Sequence, residues 1–248
     1  MNGLLYVAVD RPYINSAIMS AASFRRFHSE PILMLTDQPN AVWRRVKEAF
    51  NIDCRIIDTG FQDNCHRSSR VLKTQMFKFS PFDRTIFIDA DTFVMKRLSA
   101  LWGAPDNSHP VAMTLSQSQP RVRDIAKDKA RMKKMTYLHD YELTVKVAGR
   151  DAPHYCSSTV AWRSNIALSE LSEVWLREWN RFKSRDMMAL ARAISHMKIP
   201  VKRLDRKYSH RHILNDRTVI YTGRLHKMKK LHKEHADMLK RVIKVLKG

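Results

Sequence analysis

Short apolar runs alternate with longer amphipathic stretches along most of the chain. The runs are rich in Val, Ile and Phe and nearly continuous in hydrophobicity, which is typical of strands covered on both faces. We predict strands at Leu4–Val9, Ile32–Thr36, Arg55–Ile57, Thr85–Ile88, Val111–Leu115, Thr159–Trp162 and Thr218–Tyr221. Because helical patterns separate the strands in the first half, the sequence predicts an α/β fold with a mostly parallel central sheet.

The helical patterns have apolar residues on one face and polar residues on the other. We predict helices at Asn15–Phe27, Ala41–Phe50, Ser69–Phe79, Ala167–Phe182 and Asp186–Met197. Asn15 and Asp186 are residue types that cap helix N-termini. No internal repeat or low-complexity linker divides the 248 residues, so we expect one domain over residues 1–224.

Two basic stretches depart from this pattern. In residues 225–248, Leu, Met and Val recur at three- and four-residue spacing and Lys or Arg fills much of the other face, which predicts a basic amphipathic C-terminal helix. Residues 121–135 are also helix-compatible and hold seven Lys and Arg against Asp124 and Asp128.

The charge balance is strongly positive, with 45 Lys and Arg against 24 Asp and Glu, a formal net charge of +21. Residues 202–248 alone hold 15 basic and four acidic residues. A nucleic-acid binder is one explanation, but no RNP aromatics, helix-turn-helix or zinc ligands are visible. An anionic membrane surface suits the basic helix equally well, and so does docking on the domain with the basic face in water. A basic nucleic-acid- or membrane-surface-binding protein without transferase activity remains the alternative function.

The cysteines and glycines bear on the cellular compartment and on the kind of phosphate-binding loop that the chain can form. The three cysteines, Cys54, Cys65 and Cys156, are too few and too scattered for a disulfide framework, which fits a reducing compartment. The six glycines lie too far apart for either Gly-rich phosphate-binding loop. No apolar run approaches the roughly 18 residues of a membrane span. We expect a cytoplasmic protein, peripheral at the inner face of a membrane if the C-terminal helix binds lipid.

Two carboxylates, Asp89 and Asp91, directly follow the apolar strand 85–88. Ligands bind at this carboxyl edge in open α/β sheets. In an extended chain the two side chains point the same way and repel one another unless a cation lies between them or one is protonated. Hard oxygen donors suit Mg²⁺ or Mn²⁺, which complete their shells with substrate phosphates. Alternatively, one Asp caps a turn and the other is solvated.

Other proteins with a D-x-D pattern differ from this chain in their surroundings. Haloacid-dehalogenase-type phosphatases place D-x-D-x-[TV] after the first strand, whereas here the motif comes later and Phe93 stands at the Thr or Val position. An EF-hand loop needs a third acidic position and a Gly that are absent. Nucleotide-sugar transferases remain, in which a divalent ion bridges the carboxylates and the diphosphate.

The stretch from Lys73 to Val94, KTQMFKFSPFDRTIFIDADTFV, resembles the core of glycosyltransferase family 8-like enzymes with the glycosyltransferase-A fold. Further segments match in order and spacing, and the resemblance spans roughly residues 4 to 223. These segments are Ala8–Tyr13, Leu35–Asp37, Tyr155–Trp162 and Asp186–Ala193. The resemblance implies a single-domain α/β/α sandwich. It also implies a metal-dependent, retaining transfer of a hexose from a nucleoside-diphosphate sugar, a UDP-sugar, to a hydroxyl of a glycan or lipid-linked acceptor.

The resemblance also implies roles for individual residues. Asp89 and Asp91 hold Mn²⁺ or Mg²⁺, with His226 or water completing the shell, and Asp186 orients the acceptor. The donor is held by Asp10, Tyr13, Asp37, Arg70, Lys73 and Ala90.

For several of these residues a plain alternative stays open. Arg70 and Lys73, three residues apart on one helical face, reach the diphosphate or form a solvated face. Asp10 and Tyr13 hold the nucleoside or form a capped loop with a packed ring.

The sequence departs from the family pattern on the acceptor side. Cys156 replaces an Asn and Met187 replaces a Gln, and the family's late metal-binding His is missing, for which His226 is the nearest substitute. His154, His210 and His212 are further candidates for binding a phosphate or carboxylate on the acceptor, or are scattered exposed histidines.

Overall fold

The computed structural model describes residues 1–38, 43–61, 64–211 and 217–222, together with Asp237, Lys240, Val242 and Lys244. The strands are β1 (Asn2–Val7), β2 (Ile32–Thr36), β3 (Ile52–Ile56), β4 (Arg84–Ile88), β5 (Thr92–Val94), β6 (Val111–Leu115), β7 (Tyr155–Arg163), β8 (Val201–Arg203), β9 (His210–Arg211) and β10 (Ile220–Thr222). The helices are α1 (Arg11–Arg25), α2 (Trp43–Phe50), α3 (Cys65–Thr74), α4 (Met76–Phe79), α5 (Ser99–Trp102), α6 (Lys129–Met132), α7 (Met135–Ala148), α8 (Ile166–Asn180) and α9 (Asp186–Met197). Two short 3₁₀ helices cover Val122–Lys127 and Arg206–Tyr208.

The central sheet has the strand order β3-β2-β1-β4-β7-β6-β8. Six of its strands run in one direction, and the seventh, β7, is antiparallel to its neighbours β4 and β6. A smaller sheet joins β5, β10 and β9. The prediction of a mostly parallel sheet is therefore confirmed.

Both faces of the central sheet are covered by helices. Along β1, Leu4 and Tyr6 lie in one buried cluster, which includes residues of α1 and α2. Leu5 and Val7 lie in a second buried cluster, which includes residues of α3, α8 and α9. Because successive side chains of a strand point to opposite faces, continuous hydrophobicity in β1 supplies both layers. The result is an α/β/α sandwich.

Several predicted boundaries differ from the observed ones. The first helix begins at Arg11 and not after Asn15, because Pro12 suits a first helical turn, where its missing N–H is not needed. The predicted helix 69–79 is split at Gln75 into α3 and α4. Asp186 is the first residue of α9, and Arg185 occupies the capping position. The sequence pattern also missed α7.

The predicted C-terminal helix lies largely outside the described residues. The four described residues within it are helical, and Val242 is fully buried in the cluster that covers α1. His226 and His212 also lie outside the described residues. In the described part of the chain, every helix is too short or too polar to cross a membrane.

Candidate active site

A pocket of about 290 Å³ lies at the carboxyl ends of β1 and β4. Asp89, Ala90 and Asp91 line it from the β4 side, and Tyr13 and Arg70 line it from α1 and α3. The remaining lining residues are Val7, Val9, Cys65, His66 and Ser69. The structure thus brings five of the predicted site residues to one pocket.

Asp89 and Asp91 lie in a turn between β4 and β5, not in an extended strand. The Thr92 backbone N–H and hydroxyl both donate to the Asp89 carbonyl, at 3.2 Å and 2.7 Å. The Asp89 N–H donates to the Ser158 carbonyl on β7 at 2.9 Å. The extended conformation expected for these residues is therefore wrong, because these hydrogen bonds turn the chain after Ile88. Both carboxylates nevertheless line the pocket.

Helix α1 fixes the chain that leaves this turn. The Ser20 hydroxyl lies 3.1 Å from the Thr92 hydroxyl and 2.9 Å from that of Tyr6. The Val94 N–H donates to the Ser23 hydroxyl at 2.9 Å. These buried hydrogen bonds connect the turn to the core, so the position of the two aspartates is set by packing and not by a loop alone.

Lys73 of α3 is buried between two carboxylates. Its ammonium lies 2.7 Å from Asp89 Oδ1 and 3.6 Å from Asp186 Oδ2. The Arg70 guanidinium lies 3.3 Å from Asp186 Oδ1, and the Ser157 hydroxyl donates to Asp186 Oδ2 at 2.7 Å. The side chains of Lys73 and Asp186 are each 6% exposed, whereas that of Asp89 is 32% exposed. A charged network therefore runs from the protein interior to the pocket wall.

The charges of this network stabilise one another. Burial by itself lowers the pKa of Lys73, but the Asp89 and Asp186 carboxylates raise that pKa above its ordinary value. Burial by itself raises the pKa of Asp186, but Arg70, Lys73 and the Ser157 hydroxyl hold it well below the usual range. The pKa of Arg70 is raised, mainly by Asp186. All three groups are charged at neutral pH.

Ser157 is a site residue that the sequence pattern did not single out. It reaches Asp186 because β7 is antiparallel to β4, which puts the start of β7 at the carboxyl edge of the sheet. Ser158 extends this polar cluster. Its hydroxyl lies 3.0 Å from the Ser209 hydroxyl and 3.0 Å from the Cys156 thiol. The Trp175 ring N–H donates to the Asp186 carbonyl at 2.8 Å and thereby holds the first turn of α9.

A second buried charged cluster holds α9 in place. Arg192 lies 2.5 Å from Asp140 of α7 and 2.8 Å from Glu178 of α8, and all three side chains are at most 2% exposed. Three helices are joined by this cluster, which positions α9 and with it Asp186.

Asp10 follows β1 in a strained conformation. Its φ of 70° and ψ of 143° lie where glycine is normally found, and its side chain makes no capping hydrogen bond to α1. Such strain costs of order 1–3 kcal/mol and is concentrated at functional sites. Neighbouring Tyr13 is 43% exposed beside the pocket, an arrangement open to stacking with a flat ligand ring.

Asp37 Oδ1 and His154 Nε2 are buried and have no hydrogen-bond partner within the described part of the chain. The Ser68 hydroxyl donates to Asp37 Oδ2, whereas Asp37 Oδ1 finds no hydrogen-bond donor among the described residues. Asp37 is thereby tied to α3, outside the residues that line the pocket. His154 Nδ1 donates to the Gln119 carbonyl at 2.8 Å, and burial lowers the pKa of His154, so its ring is neutral.

The donor chemistry of the pocket fits a hard divalent cation. Asp89 and Asp91 supply carboxylate oxygens at the pocket wall, and Mg²⁺ or Mn²⁺ is commonly held by one or two carboxylates plus water and phosphate oxygens. Within the described ranges, no group of three or more His, Cys, Asp or Glu side chains is arranged to hold a metal. The residues therefore fit a metal only as a two-carboxylate site that a ligand or water completes.

No family model and no curated protein matches this sequence. Solved structures are nevertheless similar over nearly the whole chain. The galactosyltransferase LgtC, in complex with donor and acceptor sugar analogues, has a TM-score of 0.62 at 10% identity, covering 98% of this chain and 94% of its own. Mouse xyloside xylosyltransferase 1 has a TM-score of 0.58 at 13% identity, covering 91% of this chain and 99% of its own. The glycosyltransferase GlyE of Streptococcus pneumoniae has a TM-score of 0.63 at 11% identity, covering 98% of this chain and 60% of its own. The chain thus has the glycosyltransferase-A type of fold.

Proposed function

We propose that this protein is a glycosyltransferase that moves a hexose from a nucleoside-diphosphate sugar, a UDP-sugar, to a hydroxyl of a glycan or lipid-linked saccharide. The observation that carries the proposal is the placement of Asp89, Asp91 and Arg70 around one pocket, with buried Lys73 paired to Asp89 behind it. The fold shared with LgtC, solved with donor and acceptor sugar analogues, supports it. In the reaction, the bond from the anomeric carbon to the diphosphate breaks, a bond to the acceptor oxygen forms, and the hydroxyl proton is released.

On the donor side, Asp89 and Asp91 would hold Mn²⁺ or Mg²⁺, which neutralises charge on the leaving diphosphate when bound. Lys73 fixes Asp89 through Oδ1, so that Oδ2, which has no hydrogen bond within the described ranges, stays available. Arg70 lies against Asp186 through Nε at 3.3 Å, and a guanidinium has further N–H donors that would bind diphosphate oxygens. Tyr13 stacks on the base, and Asp10 binds the nucleoside.

Asp186 acts chiefly by holding Arg70 and Lys73 in place. A carboxylate whose pKa lies far below neutral pH is a weak general base. Both of its oxygens already accept from or face Arg70, Lys73 and Ser157. Its part in orienting the acceptor is therefore indirect, through Ser157 and the first turn of α9. Retention of the anomeric configuration stays a prediction.

Binding of UDP tests the proposal directly. We expect calorimetry to give tighter UDP binding with Mn²⁺ than with EDTA, and Asp89→Asn and Asp91→Asn to abolish the difference. Asp53→Asn is the matched control, since Asp53 is exposed on β3 and paired with Lys47. Metal-independent UDP binding, or none, contradicts the donor site. Nucleic-acid binding with a steep salt dependence and no UDP binding favours the alternative function.

A further inference from the structure

Arg185, the residue directly before Asp186, is a cation at the start of α9. Arg185 is exposed and has no hydrogen bond or ion pair among the described residues. A guanidinium has five N–H donors and no acceptor, and it cannot lose its charge in a protein. The neighbouring carboxylate of Asp186 is already engaged by Arg70, Lys73 and Ser157. The donors of Arg185 are thus available beside the proposed reaction site.

Packing brings the basic segment 121–135 to the same place. Met132 of this segment packs against a buried cluster that joins Tyr137 to Met188. Met188 lies two residues after Asp186, so α6 and the start of α7 lie against the first turn of α9. The basic stretch that the sequence pattern set apart therefore borders Arg185.

The cations at this border repel one another. The side chain of Arg185 is partly desolvated by its neighbours, which lowers its pKa, and the Arg131 and Arg70 charges lower that pKa further. Asp186 opposes this lowering without reversing it, and two further carboxylates have partners of their own. Asp128 is paired with Arg131 at 2.5 Å and Asp124 with Lys127 at 2.7 Å. His154 is neutral and contributes no charge. An anion placed here would relieve the repulsion and occupy the free donors.

We infer that Arg185, with Arg131 beside it, binds an anionic group of the acceptor saccharide, a phosphate or a carboxylate. Guanidinium groups bind both anions through paired hydrogen bonds, which suits an arginine better than a lysine here. Arg185 directly precedes Asp186 in the chain and is not among the residues that line the donor pocket. This inference rests on the proposed function and names the acceptor class.

A matched acceptor series tests the inference. With UDP-glucose or UDP-galactose and Mn²⁺, kcat/KM is measured for an aryl glucoside, the corresponding glucuronide and the glucoside 6-phosphate. We expect the wild type to prefer an anionic acceptor at least tenfold over the neutral one. Arg185→Gln should reduce that preference roughly 10- to 100-fold, the value of one or two charge-assisted hydrogen bonds. Arg131→Gln should reduce it in the same direction.

Arg177→Gln is the control, because Arg177 is an exposed arginine of α8 outside the site and the same charge is lost. It should leave the preference within twofold. A wild type that uses the neutral acceptor equally well, an unchanged preference in Arg185→Gln, or donor hydrolysis without transfer to any of the three overturns the inference. Loss of UDP affinity in Arg185→Gln with unchanged preference overturns it too, since Arg185 then serves the donor.

Donor binding separates this failure from that of the proposed function. Mn²⁺-dependent UDP binding and slow hydrolysis of the UDP-sugar without acceptor report on the donor site alone. If both are absent, the proposed function fails and the acceptor inference fails with it. If both are present and the acceptor preference is neutral, only the acceptor inference fails.

Discussion

Replacing Lys73 by Met should destabilise the protein strongly, because the buried ammonium neutralises two carboxylates. At an effective dielectric constant of about 20, contacts of 2.7 Å and 3.6 Å correspond to roughly 6 and 5 kcal/mol of attraction. Desolvation of each ion costs several kcal/mol and offsets much of this gain. Removing one partner of a buried pair typically costs about 3–5 kcal/mol. Since Asp89 is partly solvated and Arg70 still pairs with Asp186, we expect about 3 kcal/mol.

Urea unfolding followed by tryptophan fluorescence measures this loss at pH 7. Lys78→Met is the matched control, because Lys78 pairs with Glu173 at 2.6 Å on the surface, where such pairs contribute at most about 1 kcal/mol. Lys73→Arg keeps the charge and should lose less than Lys73→Met. If Lys73→Met stays within about 1 kcal/mol of the wild type, the electrostatic account of the network is wrong.

We expect four further outcomes, three from the structure and one from the sequence pattern of residues 225–248. Asp10→Gly should raise the free energy of unfolding, measured in urea, by about 1 kcal/mol, because glycine adopts a positive φ without strain. Asp10→Ala keeps the strain and should give no such increase. The folded-state pKa of Asp186 is depressed, so its stabilisation is present above about pH 4 and lost below it. Wild-type stability should therefore fall more steeply than that of Asp186→Asn between pH 4 and pH 2; equal slopes contradict this. Arg192→Met should cost about 3–5 kcal/mol by removing the ion-pair partner of buried Asp140 and one of the partners of buried Glu178, measured by calorimetric melting. Truncation after Arg224 should reduce sedimentation with anionic vesicles if residues 225–248 bind the membrane; unchanged binding refutes that role.

The elements with the strongest periodicity were predictable from the sequence. The bounds of β2, β6 and α9 agree with the prediction, and each has an uninterrupted apolar pattern. The position of the two aspartates at the sheet edge followed from the run of apolar residues before them. In these cases local hydrophobicity is enough to predict the element, because a strand buried on both faces has a continuous apolar run.

The remaining features depend on contacts between distant residues. A hydrogen bond to the Ser158 carbonyl holds the turn at Asp89, and Arg70 and Lys73 keep Asp186 ionised. In the sequence, Arg70 and Lys73 are two cations three residues apart, a pattern equally typical of a solvated helix face. Only the antiparallel course of β7 and the position of α9 decide that Lys73 is buried. No local pattern carries that information.

The burial of Lys73 also bears on why a charged network is present at all. Replacing a complete buried ion pair by well-packed apolar side chains is often neutral or stabilising, so stability alone does not account for a lysine between two carboxylates. The network ends at the pocket wall, at Asp89 and Arg70, with one oxygen and several N–H donors directed to no protein partner among the described residues. A ligand that is both metal-bound and polyanionic would use both ends at once. A nucleoside-diphosphate sugar has that chemistry, so the network supports the donor binding that we propose.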